Sequence, residues 1–414
     1  MPTSTILQQR KEAVQLYYYH HWTKSAICRH LQCSRPWLDR WLDRYDPDDA
    51  EGSLQNRSSA PHQASSPWSE DIRKQAQEMR RMRMEREPWP YALYGAATIH
   101  YELEQLQGPE VPPTRTIHRW LVEAGLVAPR HTVPPSSSHF TLPIPCENEV
   151  NWRQQLDFKG PFSVRNSAHK YYVLVLRDCW SHRCVLQALE SREAMGIVRF
   201  LATSWSWLGV PVYLQMDNAV EFQGSPRSPR SFGRVVCMAI DLGVEPVFNP
   251  PGEPWFNGGI ERYNGFLEER LHQLDCADFP AFEREVHTCQ TTCNATHRVA
   301  SLQGYTPDEV AATACLRRLS STYHRYERTL PQAQGFVSFI RRVRKSGRIT
   351  LGPKDRFMVD PKLVSTYVWA RADLARRLVT IAQNGQLLKT YDYSAETIGQ
   401  WAYDEEAGGT LDDV

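Results

Sequence analysis

The 414-residue chain has no run of about 18 apolar residues, the length a membrane-spanning helix needs, so neither a membrane span nor a membrane partner is expected. Its opening residues, MPTSTILQQRKEAVQ, lack the apolar stretch of a secretory leader. The ten cysteines follow no framework spacing, which argues against a disulfide scaffold and fits a reducing, cytoplasmic setting. His287, Cys289, Cys293 and His297 form the nearest thing to a metal pattern. Four ligands on one helix rarely converge tetrahedrally, so packing is expected there ahead of zinc. Net charge is also nearly absent, at +1, but its distribution is uneven. Twelve Lys/Arg against five Asp/Glu between 335 and 403 make a basic module, and the eleven residues after it carry five acids and no base. A basic surface is the electrostatic footprint of a phosphate binder.

Length predicts several domains. Residues 8–45 read as three short helices. In the third, SRPWLDRWLDRY, Ser34 is an N-cap and Leu38, Trp41 and Leu42 share an apolar face. Together with TKSAICRHLQCS this gives a helix-turn-helix spacing, placing Arg35, Arg40 and Arg44 toward DNA; a plain three-helix bundle is the alternative. The domain is assigned to 1–50 and a polar linker to 51–67. A second helical unit, 68–127, ends in VPPTRTIHRWLVEAGL. Its helix-turn-helix spacing offers Arg115, His118 and Arg119 to DNA. A proline-stiffened linker occupies 128–147.

From 148 to 320 the pattern changes. Segments at VNWRQQLDFKG, KYYVLVLRDC and RCVLQALE predict an antiparallel three-strand meander. A helix, the strand PVYLQMDN, a second helix, the strand VEPVFN and the helix NGGIERYNGFLEERLHQL follow. This βββαβαβα order is the ribonuclease H-like arrangement, with a five-stranded mixed sheet. It predicts Asp157 at the end of the first strand, Asp217 at the end of the fourth, and Glu261 in the first turn of the later helix. Clustered carboxylates suit hard Mg²⁺, which prefers oxygen ligands. Two metals about 4 Å apart activate the attacking oxygen and stabilise the leaving one in phosphodiester displacement. From 335 to 403, short strands alternate with turns that include Asn384-Gly385, a hairpin signal; a small basic β-barrel is expected. Arg341, Arg342, Arg344 and Lys345 are its candidate DNA contacts. Residues 404–414 form the acidic tail.

The chain resembles bacterial insertion-sequence DDE transposases with an integrase core, relatives of retroviral integrases, over nearly its whole length. The resemblance rests on QLDFKG around Asp157, MDNAVEF around Asp217 and FNPPGEPWFNGGIERYNGFL around Glu261, with CNATHRVASLQGYTPDEV as a further echo. It implies tandem helix-turn-helix domains, a ribonuclease H-like catalytic core and a small SH3-like β-barrel at the end. It also implies Asp157, Asp217 and Glu261 as catalytic ligands of two Mg²⁺, with Mn²⁺ a substitute, and a homo-oligomer joining DNA ends. Asn218 and Arg262 are assigned supporting roles, against strand capping and a simple ion pair respectively. Asp178 and Glu221 are expected to be structural, and Trp255 and Phe256 to pack.

Two departures stand out. Ala219 replaces the glycine usual after Asp-Asn, which implies either an ordinary backbone or strain there. Between Asp217 and Glu261 lie 43 residues, whereas Glu253, with 35 between, meets the family's usual spacing. Glu261 is preferred because it follows the Asn-Gly that opens the helix, while Glu253 lies in a proline-flanked loop. The extra length is assigned to an exposed turn-rich insertion, GSPRSPRSFG. The expected function is a transposase that binds element ends, hydrolyses DNA and transfers strands into double-stranded target DNA. A domesticated DNA-binding regulator and a structure-specific nuclease are the alternatives.

Overall fold

The computed structural model describes residues 3–56, 67–85, 91–127, 149–165, 167–224, 231–298, 300–324, 334–352, 355–395 and 397–398. Most of the first two linkers, the centre of the serine-proline insertion and the acidic tail lie outside the described residues. The chain divides into two compact units, Met1–Pro67 and Trp68–Val414. No helix among the described residues is long and apolar enough to cross a membrane.

In the first unit, α1 (Thr3–Val14) runs on into a π-helical turn, Gln15–Tyr19, and is followed by α2 (Lys24–His30) and α3 (Arg35–Arg44). Thr23 and Ser34 start α2 and α3 by accepting the Ala26 and Trp37 amides, each at 3.3 Å. Such caps satisfy amides that have no partner within the helix. The helices close over Ala13, Ile27, Leu38, Trp41, Leu42 and Leu54.

The second unit begins with α4 (Glu70–Met84), α5 (Ala96–Gln107) and α6 (Thr114–Glu123), packed around Ile99, Leu103, Ile117, Trp120 and Leu121. Gly108, at φ 89°, ends α5 and lets the chain turn toward α6. Between α4 and α5, Tyr91 is buried in the same apolar cluster as Val173, Ile260 and Phe282 of the sheet domain that follows.

That domain runs β1 (Arg153–Phe162), β2 (Tyr171–Asp178), β3 (Cys184–Leu189), α7 (Ala194–Trp207), β4 (Tyr213–Met216), α8 (Val220–Gln223), β5 (Ser231–Phe232), α9 (Arg234–Asp241), β6 (Glu245–Phe248), α10 (Gly258–Leu271), α11 (Phe279–Thr296) and α12 (Pro307–Ala312). β1 pairs antiparallel with β2, and β2 with β3, while β1, β4 and β6 pair in parallel. The order β3-β2-β1-β4-β6 is the one expected of a ribonuclease H-like core. β2 is apolar on both faces because both are covered. Leu174 and Leu176 join a cluster with α7 and α9, and Val173 and Val175 join one with α10 and α11.

The remaining strands are β7 (Phe336–Arg342), β8 (Arg348–Thr350), β9 (Arg356–Met358), β10 (Tyr367–Asp373), β11 (Leu378–Gln383), β12 (Gln386–Asp392) and β13 (Thr397–Ile398). They correct two expectations. The sheet has nine strands, not five, and the C-terminal segment is not a separate barrel. β7 pairs in parallel with β6, aligning Val247 with Ser338 and Phe248 with Phe339, and β10, β11 and β12 extend the same sheet. The reason is an edge that needs covering: β6 would otherwise present unpaired backbone groups. The seam is both polar and apolar. Ser338 Oγ donates to Glu245 Oε1 at 2.5 Å and Arg371 pairs with Glu245 at 2.6 Å, while Val337, Phe339 and Val368 share one core with Leu156 and Phe248. The Asn384-Gly385 turn does form, with φ of 50° and 79° and Gln383 opposite Gln386.

Candidate active site

Asp157 is within β1, which continues to Phe162, so it does not end the strand as expected. What ends near it is the ladder to β4, whose last aligned pair is Gln155 with Gln215. Beyond that point β1 is paired only on its β2 side. Strand alternation turns Leu156 to the α7–α9 face and Asp157 to the α10 face. There Asp157 Oδ2 accepts from Asn264 Nδ2 of α10 at 2.7 Å, and Oδ1 accepts from the Phe158 amide at 2.8 Å.

Asp217 directly follows β4. Its Oδ1 accepts the Ala219 amide at 2.8 Å, a local turn that holds the carboxylate at the strand end. Ala219 has φ −58° and ψ 145°, so no glycine-only conformation is required here. Glu261 is in the first turn of α10, whose position is set by buried amides. Gln155 Oε1 accepts the Ile260 amide at 2.9 Å, and Gln155 Nε2 donates to Gln215 Oε1 at 3.1 Å. Gln215 Nε2 in turn donates to Asn249 Oδ1 at 2.7 Å and to the Phe256 carbonyl at 3.0 Å. The helix carrying Glu261 is thereby tied to β1, β4 and the end of β6.

Electrostatics link the three acids. Burial raises the Asp157 carboxyl to about 7; Lys159 opposes this, and the charges of Asp217 and Glu261 add to it. Asp217 is also raised, by burial first, with Glu221 adding and the Ala219 amide and Arg192 opposing. The Lys159 ammonium lies 4.0 Å from Asp157, 3.9 Å from Glu261 and 3.6 Å from Glu268. Among the described residues, no group of three His, Cys, Asp or Glu side chains is gathered closely enough to hold a metal ion. The chemistry of the place nonetheless suits one. The donors are hard oxygens, a cation already stands among the carboxylates, and Asn264 Oδ1 is buried without a partner.

Lys159, Asn264 and the Gln155–Gln215 pair were missed from the sequence. Lys159 lies two residues after Asp157, on the same strand face, and Asn264 one turn after Glu261 on the same helix face. Both were legible from period alone.

The supporting residues separate. Asn218 bridges elements: Nδ2 donates to the Asn249 carbonyl at 2.7 Å and Oδ1 accepts from Arg341 at 2.9 Å. Arg262 is exposed on α10 beside a cavity lined by Arg177 and His182. Glu253 precedes the 3-10 turn before α10 and accepts the Tyr367 hydroxyl. Asp178 is buried and accepts the Ser181 hydroxyl and the Asn151 and Ser181 amides, while Glu221 pairs with Arg192 at 3.2 Å. Phe256 is buried; the Trp255 side chain lies outside the described residues.

Two DNA-contact expectations are corrected. Arg341 is only 4% exposed; it donates to the carbonyls of Phe248, Asn249, Ile340 and Thr350 as well as to Asn218, and burial lowers it to about 9. Arg44 is half-buried, donates to the Gln55 carbonyl at 2.8 Å and lies over Trp41. Arg40, Arg115, His118 and Arg119 are exposed, the last three along one face of α6, and Arg35 is exposed beside Asp39 at 3.5 Å. Arg342, Arg344 and Lys345 are exposed at a cavity of about 400 Å³ shared with Pro250, Pro251 and Glu253. The Cys289 and Cys293 sulfurs are buried 3.9 Å apart, and His297 Nε2 meets the Tyr91 carbonyl at 2.9 Å. His287 is exposed, so these four side chains do not converge.

Residues 7–54 match a family described as a homeodomain-like domain. Among solved structures, the chain is similar to the catalytic core domain of HTLV-2 integrase in complex with magnesium, in a trimeric form. That match has 18% identity and a TM-score of 0.32, and covers 39% of this chain and 97% of that one. It is also similar to the catalytic core domain of BIV integrase, at 20% identity and a TM-score of 0.29, over 39% of this chain and 94% of that one. No curated protein sequence matches the chain.

Proposed function

We propose that the chain is a DDE-type DNA transposase of the bacterial insertion-sequence kind, with Asp157, Asp217 and Glu261 as the residues that hold two Mg²⁺ ions. The observation that supports this most strongly is the electrostatic convergence at β1. A partly buried aspartate raised to about 7 feels the charges of Asp217 and Glu261, and a lysine ammonium stands within 4.0 Å of two of the three acids. Such a carboxylate cluster is stabilised by added positive charge.

Mg²⁺ would supply activation of the attacking oxygen and stabilisation of the leaving one. The chain's own residues do the positioning. Asn264 and the Phe158 amide orient Asp157, the Ala219 amide orients Asp217, and Gln155 fixes the turn that carries Glu261. Water attacks the element end first, and the freed 3′-hydroxyl then attacks target DNA. Each step breaks one phosphodiester bond, and the second forms a new one. Arg40 on α3, the Arg115–His118–Arg119 face of α6 and the Arg342–Lys345 turn are the surfaces assigned to duplex DNA. Joining two ends requires a homo-oligomer.

A domesticated regulator is the second reading. Ala219 was its only support in the sequence, and an ordinary backbone there removes that ground. The test is strand transfer from a pre-cut element end with Mg²⁺ or Mn²⁺. Wild type is expected to join ends, whereas Asp157→Asn and Asp217→Asn retain end binding and lose joining. Joining by either variant at the wild-type rate refutes the assignment.

A further inference from the structure

On the side of α10 away from Asp157 is a second cavity, of about 160 Å³, whose lining includes Arg177, His182, Arg262, Tyr263, Phe266 and His297. No aspartate or glutamate lines it. Three elements build it. Arg177 leaves the end of β2, His182 occupies the β2–β3 turn with a left-handed φ of 63°, and Arg262 projects from α10 just past its first turn. Arg177 is held in place by one bond, from Nη1 to the Gly259 carbonyl at 3.1 Å, and lies 5.5 Å over the Tyr263 ring. Its Nε is buried without an acceptor. Among the described residues, neither the Arg262 guanidinium nor the His182 ring has a hydrogen-bond or ion-pair partner.

Two guanidiniums facing one cavity without a carboxylate repel each other and leave donors unused. Burial and these two neighbours push His182 down to about 4, so its ring is neutral and offers one N–H donor. The cluster as built therefore offers its donors to an anion with several acceptor oxygens. Guanidiniums match phosphate oxygens in geometry and are weakly hydrated, which suits this use. Apolar Phe266 and Tyr263 form part of the cavity wall and would strengthen the interaction by excluding water.

We infer that the Arg177–His182–Arg262 cavity binds a backbone phosphate of DNA, clamping a strand against the first turn of α10 next to Glu261. The inference rests on the proposed reading that DNA is handled at this face. It adds a strand contact that neither the N-terminal helical units nor the C-terminal basic turn supplies. Glu261 and Arg262 are consecutive on α10 and point about 100° apart around its axis, so the cavity and the proposed acid site lie on adjoining sides of one helix that a single strand would cross.

The test measures binding of the full chain to a labelled duplex in EDTA across a salt series, for wild type, Arg262→Gln, Arg262→Lys and the double variant Arg177→Gln/Arg262→Gln. Loss of one phosphate contact lowers the slope of log K against log salt by about 0.9. Arg262→Gln is expected to show that decrease and roughly three- to tenfold weaker binding at fixed salt. Arg262→Lys should recover the slope, and the double variant should lower it by no more than the same amount of about 0.9, because one phosphate is held. Arg262 is exposed, so its substitution leaves folding intact, which thermal melting checks. An unchanged slope in Arg262→Gln overturns the proposal. Inorganic phosphate at constant ionic strength forms a second arm. Protection of wild type by phosphate with no change of DNA slope in Arg262→Gln would identify a free-phosphate site and overturn the DNA assignment. Because no metal-dependent chemistry runs in EDTA, failure of the DDE reading leaves this outcome unaffected, and the reverse holds as well.

Discussion

Replacing Asp157 by asparagine should stabilise the metal-free protein at alkaline pH while removing the group proposed as a ligand. The Asp157 carboxyl is raised to about 7 in the folded chain, chiefly by burial. Unfolded, it titrates near 3.9. Between these values the folded state holds the extra proton, so this group's contribution to stability falls as pH rises through that window. The penalty is absent below about pH 4 and complete above about pH 7, with an upper limit of roughly 4 kcal/mol from three pKa units. Asparagine carries no charge and escapes it. The hydrogen bonds can be kept. Oδ1 still accepts the Phe158 amide, and Asn264, whose Oδ1 is buried without a partner, can flip its amide to accept from the new side-chain NH₂. Urea denaturation in EDTA should show Asp157→Asn more stable than wild type by about 1–4 kcal/mol at pH 8, and indistinguishable from it near pH 4. Equal differences at the two pH values, or a less stable variant at pH 8, would refute the electrostatic account of the site.

Three further outcomes follow from the same geometry. Lys159→Met removes the ammonium 3.6–4.0 Å from three carboxylates. It should tighten Mn²⁺ binding, read as thermal shift against metal concentration, by about fivefold for ~1 kcal/mol of relieved charge competition; unchanged or weaker binding contradicts this. Arg341→Met should destabilise the protein by about 3 kcal/mol or more in chemical denaturation, because buried carbonyls lose their donor. Arg342→Gln, at the exposed end of the same strand, should change stability by less than about 0.5 kcal/mol while weakening duplex binding. Ala219→Gly should give no gain in joining activity and lower stability by about 0.4–1 kcal/mol, since φ −58° suits alanine and glycine only adds freedom to the unfolded chain.

The sequence and structure diverge where pairing partners and strand faces matter. The helices with caps and apolar stripes were readable locally, as Ser34 with Leu38, Trp41 and Leu42 illustrates. The alternating strands after 335 were readable too, but alternation names no partner. Nothing in FVSFIRRV says that Val337 and Phe339 complete the core begun by Leu156 and Phe248. Asp217 and Glu261 occupy the predicted strand end and helix start. Asp157 was misplaced relative to its strand because β1 outlasts its ladder with β4. Arg341 carries a partial signal, since it shares parity with Val337, Phe339 and Val343 of one buried face. The opposite parity, Ser338 and Ile340, is buried as well, so alternation does not set Arg342 apart; Arg342 is exposed because β7 ends there. Arg44 is comparable, since it follows Trp41 by three residues and lies over its ring. The buried amide link from Gln155 through Gln215 to Asn249 needs three strands in register, and local pattern carries no such information.

The most direct measurement compares Glu261→Gln with Glu253→Gln in strand transfer from a pre-cut element end with Mn²⁺. Glu261 shares Lys159 with Asp157, whereas Glu253 is tied to the Tyr367 hydroxyl. The account predicts that Glu261→Gln loses joining by at least about a hundredfold, as expected when a charge that acts only in the transition state is removed, and that Glu253→Gln keeps it. An active Glu261→Gln beside an inactive Glu253→Gln would contradict the assignment of the third carboxylate.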